Sequence, residues 1–242
     1  MCFIGRPAKL PLWEAGMTEA PGVSYPATAR RLCDVACALA GILVLWPVLA
    51  AIAVLVMVCD GRPVLFGQTR IGKGGRPFRI WKFRTMRQGL AGSKVTAAGD
   101  RRVTRIGACL RRLKLDELPQ LFNVLRGDMS LIGPRPEVPE YVNLASPIWQ
   151  AVLQVRPGIT DPATLLFRDE EALLALSSDI EDSYRQRVLP RKLAANLAYL
   201  NRRSFGKDVK LLWLTLCCCL SPRRFPMRPV QEAFLMEVQS GR

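Results

Sequence analysis

The sequence predicts an α+β protein, mostly helical and monotopic in a membrane. It would carry an N-terminal re-entrant, Pro-kinked membrane helix hairpin and a cytosolic domain containing a β-hairpin. Three observations predict this. Val35 to Cys59 carries no charge and is mostly apolar. Arg62 to Lys114 holds fifteen Lys or Arg against a single acid, Asp100. Downstream, apolar residues recur at helical spacing in short segments, whereas the strand-like pattern is confined to the basic region.

The apolar run would make a helix ~37 Å long, enough to cross a bilayer. Pro47 stands at its middle, where proline deletes a backbone hydrogen bond and kinks a helix. Arg30 and Arg31 precede the run and Arg62 and Arg70 follow it, so charge bias selects neither end as external. A bent helix entering and leaving on the cytoplasmic side satisfies both observations; a straight spanning helix is the alternative. Asp34, costly within lipid, is expected to pair with Arg30 or Arg31 at the surface. Residues 1–29 lack the apolar core of a signal peptide and read as a flexible tail. Residues 30–62 follow as the membrane helix, 63–220 as the cytosolic domain and 221–242 as a C-terminal tail.

A chain of 242 residues suits one globular domain with appendages. Its net charge of +15 and pI near 10.1 call for polyanionic partners: nucleic acid, anionic lipid or phosphorylated substrate. It contains no histidine, which removes the commonest general base and metal ligand. Acid–base or nucleophilic work therefore falls to carboxylates, Lys, Tyr, Cys or Ser. None of the eight cysteines forms a C-x-x-C pair, so a zinc site is not expected and they read as reduced thiols.

Val64–Ile71 and Phe78–Met86 flank Gly72-Lys73-Gly74-Gly75 and read as the hairpin. Lys82 and Arg84, two apart, are expected on one face of its second strand. Phe78, Trp81 and Phe83 interleave with the charges, which suits single-stranded nucleic acid or a bed of lipid headgroups. The long apolar run selects the membrane, so no nucleic acid partner is expected. Val103–Leu113 reads as a basic helix with Ile106 and Leu110 inward, its last turn carrying Arg111 and Arg112. Glu137–Gln154, Asp169–Ser177 and Pro190–Asn201 read as further helices. The acidic stretch from Asp161 to Asp182 is expected on the cytosolic side, away from anionic lipid. Lys207–Leu220 is too short to span and reads as a core helix in preference to an interfacial one. Arg223, Arg224 and Arg228 are candidate lipid contacts.

The densest chemistry lies in Arg111–Pro136, RRLKLDELPQLFNVLRGDMSLIGPRP. Asp116 and Glu117 precede Leu118-Pro119 and an apolar-periodic run, the pattern of a helix start with Asp as N-cap. A carboxylate there faces unpaired N–H groups and the positive end of the helix dipole, and stays ionised. The same place favours a phosphate. Arg111, Arg112, Lys114 and Arg126 crowd in, and Arg135 is held between two prolines on a stiffened backbone. Taken alone, the pair fits a capped core helix better than a catalytic site, since caps far outnumber catalytic carboxylates.

LDELPQLFNVLRGDMSLIGPRP closely resembles the core signature of the bacterial sugar transferases that are monotopic phosphoglycosyl transferases. The resemblance extends to RRLCDVACALAGILVLWPVL, RIGKGGRPFRIWKFRTM and RPGITDPATLLFRDEEALL, from Arg30 to Leu216. It implies transfer of a phosphosugar from a UDP-sugar donor to a polyprenyl (undecaprenyl) phosphate acceptor, at the cytoplasmic face of the bacterial inner membrane. Asp116 would be the nucleophile, forming a phosphosugar-aspartyl intermediate and releasing UMP, as the start of polysaccharide or glycoconjugate assembly. Glu117 would help hold a metal with Asp116 or position the acceptor; Lys82, Arg84, Arg111, Arg112 and Arg135 would lie near substrate phosphates. A carboxylate attacking an anionic diphosphate needs its repulsion screened, which calls for Mg²⁺. Anionic membrane lipid and a second copy of the chain, as a homodimer, are the other partners expected. The chain departs from the family pattern at Trp46, where Ser usually precedes the proline. It departs also at Gly67 and Thr69, more often Arg and Glu, and at Lys114, often Ser or Thr.

Two other classes compete. A non-enzymatic, membrane-tethered basic module binding anionic lipid or nucleic acid explains the charge and the apolar run, but gives no role to the Asp-Glu pair or the Arg135 loop. A polytopic transferase acting through a ternary complex needs more than one segment of spanning length.

Overall fold

The computed structural model describes residues 26–220 except 90, 91 and 94. The expectations for the tail before residue 26 and for residues 221–242 lie outside the described residues.

Helix α1, Ala27–Asp60, continues through Pro47 for 34 residues, about 51 Å at the usual rise. Where the sequence suggested two arms of a hairpin, one helix is assigned, in which Leu43 C=O forgoes the bond that an N–H at position 47 would have made. It is long and apolar enough to cross a membrane, and Leu43, Val44, Trp46 and Val58 are exposed. Both of its ends, however, are tied to the same body. Near the N-terminus Arg31 donates to the carbonyls of Val124 (2.6 Å) and Leu125 (3.0 Å), and Ala38 packs with Leu121, Val124 and Met129. At the other end Ile52 and Val56 pack with Phe83 and Leu110, and Arg84 donates to the carbonyls of Asp60 and Gly61. Asp34, expected at the surface beside Arg30 or Arg31, is instead buried and accepts from Leu131 N–H at 2.9 Å.

Strands β1 (Leu65–Ile71) and β2 (Pro77–Phe83) pair antiparallel from Leu65↔Phe83 to Ile71↔Pro77. The turn between them needs Gly74 and Gly75 at φ 68° and 74°. This is the expected hairpin, with Met86 set apart in an isolated bridge to Val103. Helix α2, Arg105–Arg112, is capped by Thr104, whose hydroxyl accepts from Gly107 N–H at 2.9 Å. Gly107 lets α2 touch the end of the hairpin, since a Cβ there would fall 2.1 Å from Thr85 O. Leu110 is buried and Ile106 packs beside it, as the periodicity predicted.

Helix α3, Gln120–Arg126, follows and lies against α1 and β2. Strand β3, Ser130–Ile132, then pairs parallel with β4, Gly158–Thr160. Between them the helix expected over Glu137–Gln154 is absent. Pro139 opens a single turn at Pro139–Tyr141, and Pro147 starts a separate α4, Pro147–Val152; two prolines in one segment interrupt its backbone ladder. Short helices α5 (Pro162–Leu166), α6 (Glu170–Ala175) and α7 (Ile180–Ser183) lead through a wide turn at Tyr184–Val188 into α8, Leu189–Asn201. Trp149, Val152, Leu174, Tyr184, Val188 and Leu193 form the core of this region. The last helix, α9 (Phe205–Leu220), buries Leu211 and Leu214 against Ile132, Leu165 and Leu200, as expected of a core helix. Its other side exposes Phe205, Val209, Trp213 and Leu216, so it also has the apolar outer stripe of an interfacial helix.

Candidate active site

Asp116 and Glu117 stand on a single tight turn, Leu115–Glu117, between α2 and α3. The expected N-cap is corrected here. Helix α3 begins later, with Pro119 at its cap and no side-chain cap bond. Lys114, in the left-handed region at φ 58°, reverses the chain after α2 and turns both carboxylates inward. They are 6 % and 7 % exposed.

Glu117 is the hub. Its Oε1 accepts from Lys82 Nζ at 2.9 Å, its Oε2 from Arg135 Nη1 at 3.0 Å, and Arg135 Nη2 closes a second bond to Oε1. Burial alone would raise this carboxyl, but Arg135, Lys82 and Lys114 outweigh it and hold it well below the usual range. The Lys82 ammonium is pulled down to about 8, chiefly by burial, against the opposing pull of Glu117. Arg135 is driven up, the Glu117 charge and hydrogen bonds overcoming its burial.

Each partner is positioned by a different part of the chain. Lys82 rides on β2, which α3 fixes through Asn123: Trp81 N–H donates to its Oδ1 (3.1 Å), and its amide donates to Arg79 O (2.8 Å). Arg135 sits on the loop after β3. There Gly133 and Gly158 approach so closely that a Cβ on Gly158 would lie 2.1 Å from Gly133 N. The buried Asp161 pins the loop, accepting from Arg135 N–H (2.9 Å) and Asn196 Nδ2 (2.7 Å). From the other side Arg70 donates to Pro136 O (3.1 Å) and faces Glu137 at 3.6 Å. Nothing in the sequence marked Asp161, Asn123 or Arg70 for these roles, since each acts across a long sequence separation.

Asp116 is different. Its Oδ1 is buried and has no hydrogen-bond partner among the described residues. Burial first, then the Glu117 charge, raises its carboxyl, opposed by Lys82, Lys114 and Arg111. The ionisation expected from a helix cap therefore has to come from these cations. The result is a bare carboxylate oxygen beside cations already fixed by its neighbour.

Of the seven residues singled out for chemistry, Asp116, Glu117, Lys82 and Arg135 come together. Arg84 does not. Strand β2 ends at Phe83, and Arg84 turns to the carbonyls at the end of α1. Arg111 pairs with Glu171 at the start of α6, and Arg112 is exposed on α2. Among the described residues no group of three or more His, Cys, Asp or Glu gathers to hold a metal ion.

The model of the family described as bacterial sugar transferase matches residues 25–222. The chain is similar to the UDP-glucose:undecaprenyl-phosphate glucose-1-phosphate transferase of Caulobacter vibrioides, 37 % identical over 83 % of this chain and 74 % of that protein. It is similar to the exopolysaccharide production protein ExoY of Rhizobium meliloti, 34 % identical over 80 % of this chain and 86 % of that protein. It is 38 % identical, over 77 % of its length, to the UDP-N-acetylgalactosamine-undecaprenyl-phosphate N-acetylgalactosaminephosphotransferase of Aeromonas hydrophila, of which it spans only 42 %. The chain belongs to the bacterial sugar transferase family.

Proposed function

We propose that the chain transfers a phosphosugar from a UDP-sugar to polyprenyl (undecaprenyl) phosphate at the cytoplasmic face of the bacterial inner membrane. The observation that carries this reading is the bare, buried Oδ1 of Asp116, next in the chain to the carboxylate that holds Lys82 and Arg135, in a chain of this family. The names of its relatives agree with the donor and acceptor classes.

Asp116 attacks the sugar-side phosphorus of the UDP-sugar. An Asp116 oxygen–phosphorus bond forms, the bond from that phosphorus to the bridging oxygen breaks, and the oxygen leaves with UMP. The lipid phosphate then attacks the same phosphorus and returns the electron pair to the Asp116 carboxylate, giving a polyprenyl diphosphosugar. This splits one displacement between two anions into two easier steps. Lys82 and Arg135 offset charge on the transferred phosphoryl group, and Glu117 keeps both cations in place before substrate arrives, so that little reorganisation is needed.

A divalent cation fits on one count: Asp116 Oδ1 is a hard oxygen without a partner, and Mg²⁺ commonly takes one or two carboxylates together with substrate phosphates. Both oxygens of Glu117 are engaged by Lys82 and Arg135, so Asp116 is the ligand this chain offers most directly. When bound, Mg²⁺ would supply charge screening on the donor diphosphate. The attachment of both ends of α1 to one body supports a helix that dips into one leaflet and returns, keeping the dyad at headgroup level.

A screen of UDP-sugars with polyprenyl phosphate, reading UMP release from purified membranes, tests the reading. Release with one or more sugars is expected. Its absence with every UDP-sugar, from a folded preparation, would leave the basic lipid-binding module as the better description.

A further inference from the structure

A second charged site lies just past the end of β2. Lys82 turns to Glu117, whereas Arg84 turns to the end of α1, where a cleft of about 700 Å³ opens. Arg62, Arg84, Arg87 and Arg105 line it, together with Asp60 and Thr104; neither Asp116 nor Glu117 does. The one carboxylate there, Asp60, accepts from the Thr104 hydroxyl at 2.8 Å through Oδ2 and is outnumbered by the four arginines. Among the described residues Arg62, Arg87 and Arg105 form no salt bridge, and all three are exposed. Arg84 is 6 % exposed, and its Nε has no hydrogen-bond partner. A buried guanidinium N–H left unpaired is costly. The first turn of α2, at Thr104, Arg105 and Ile106, forms part of the same wall and adds the positive end of a helix dipole.

We propose that this cleft binds the phosphate of an anionic glycerophospholipid. A phosphodiester supplies the acceptor oxygens that the three exposed guanidiniums lack, and paired Arg–phosphate contacts are among the stronger charge-assisted bonds. The lipid origin follows from what adjoins the cleft. Cys59 and Asp60 end α1, and the turns leading to them expose Val54, Leu55 and Val58, an apolar flank along which acyl chains can lie. A bound lipid here would fix the depth at which α1 leaves the bilayer. The inference does not rest on the transferase reading, because no substrate of that reaction enters it.

The test uses the full chain in an uncharged detergent, without UDP-sugar. Dioctanoyl phosphatidylglycerol, dioctanoyl phosphatidylcholine and inorganic phosphate are titrated, and binding is read by native mass spectrometry. The expected result is saturable binding of phosphatidylglycerol in preference to phosphatidylcholine, weakened about tenfold or more in Arg87→Ala/Arg105→Ala. Both side chains are exposed, so that variant should keep its melting temperature; the single reversal Arg87→Glu provides a second variant. Inorganic phosphate binding as well as phosphatidylglycerol would overturn the lipid origin and leave a soluble phosphate as the ligand. Equal binding of phosphatidylcholine, or affinities unchanged in both folded variants, would overturn the site.

Discussion

Replacing Glu117 with Gln probes the centre of the site while preserving its shape. The carboxylate neutralises two cations that are themselves mostly buried: Lys82 and Arg135 have side chains 21 % and 23 % exposed. Removing one member of a buried ion pair costs about 3–5 kcal/mol, because the partner's charge is stranded. Lys82 can escape part of that cost. Its ammonium is already pulled down to about 8 and Glu117 is its strongest upward pull, so in the variant it gives up its proton more readily. Arg135 cannot. A loss near the lower bound, about 3 kcal/mol, follows, and for a chain of this size that is a fall of roughly 6–12 °C in melting temperature. Adding Lys82→Met removes the group that Glu117 no longer pairs and should recover about 1 kcal/mol of the loss. Scanning fluorimetry of the four proteins of this cycle, in detergent at pH 7, measures both quantities. Melting of Glu117→Gln within about 2 °C of wild type, or strictly additive effects in the double variant, would show that Glu117 is not the counter-ion described here.

Further outcomes follow from the same geometry. Lys82 carries its proton below about 8 and loses it above; kcat/KM should therefore fall about tenfold per pH unit on the alkaline side, and Lys82→Arg should move that limb upward in a pH–rate profile. Arg135→Lys keeps the charge but loses the two-pronged hold on Glu117, so KM for the nucleotide sugar should rise about tenfold; unchanged kinetics would reduce Arg135 to a packing role. With both ends of α1 held by one body, a reporter cysteine at Thr18 in a cysteine-light variant should resist an impermeant thiol reagent in intact cells and react once the membrane is opened. Labelling in intact cells would indicate a single span.

The hairpin and α2 were legible because local signals specify them: glycines in a turn and apolar residues at helical spacing. That Arg135 meets the Asp116–Glu117 pair was expected only from the family resemblance, since no local signal ties it to a carboxylate eighteen residues earlier. The basic region before Lys114 was legible only as a whole. Which of its cations reach the dyad depends on tertiary partners. Arg84 is drawn off by the terminal carbonyls of α1 and Arg111 by Glu171, sixty residues downstream. Lys82 remains because Asn123 fixes its strand. The β3–β4 pair escaped notice because three-residue strands are too short to show a period, and with it escaped Asp161, which settles where Arg135 sits. The helix cap assigned to Asp116 failed for a local reason: Lys114 takes a left-handed conformation that sequence rules reserve mainly for glycine and asparagine.

The covalent role of Asp116 is tested most directly by exchange. Purified protein, a UDP-sugar and radiolabelled UMP are incubated with Mg²⁺ and no lipid acceptor, and label is sought in the UDP-sugar. A phosphosugar-aspartyl enzyme predicts acceptor-independent exchange in the wild type and, in Asp116→Asn, its loss by about 10⁴-fold or more. Exchange that requires polyprenyl phosphate, or that survives in Asp116→Asn, would contradict it.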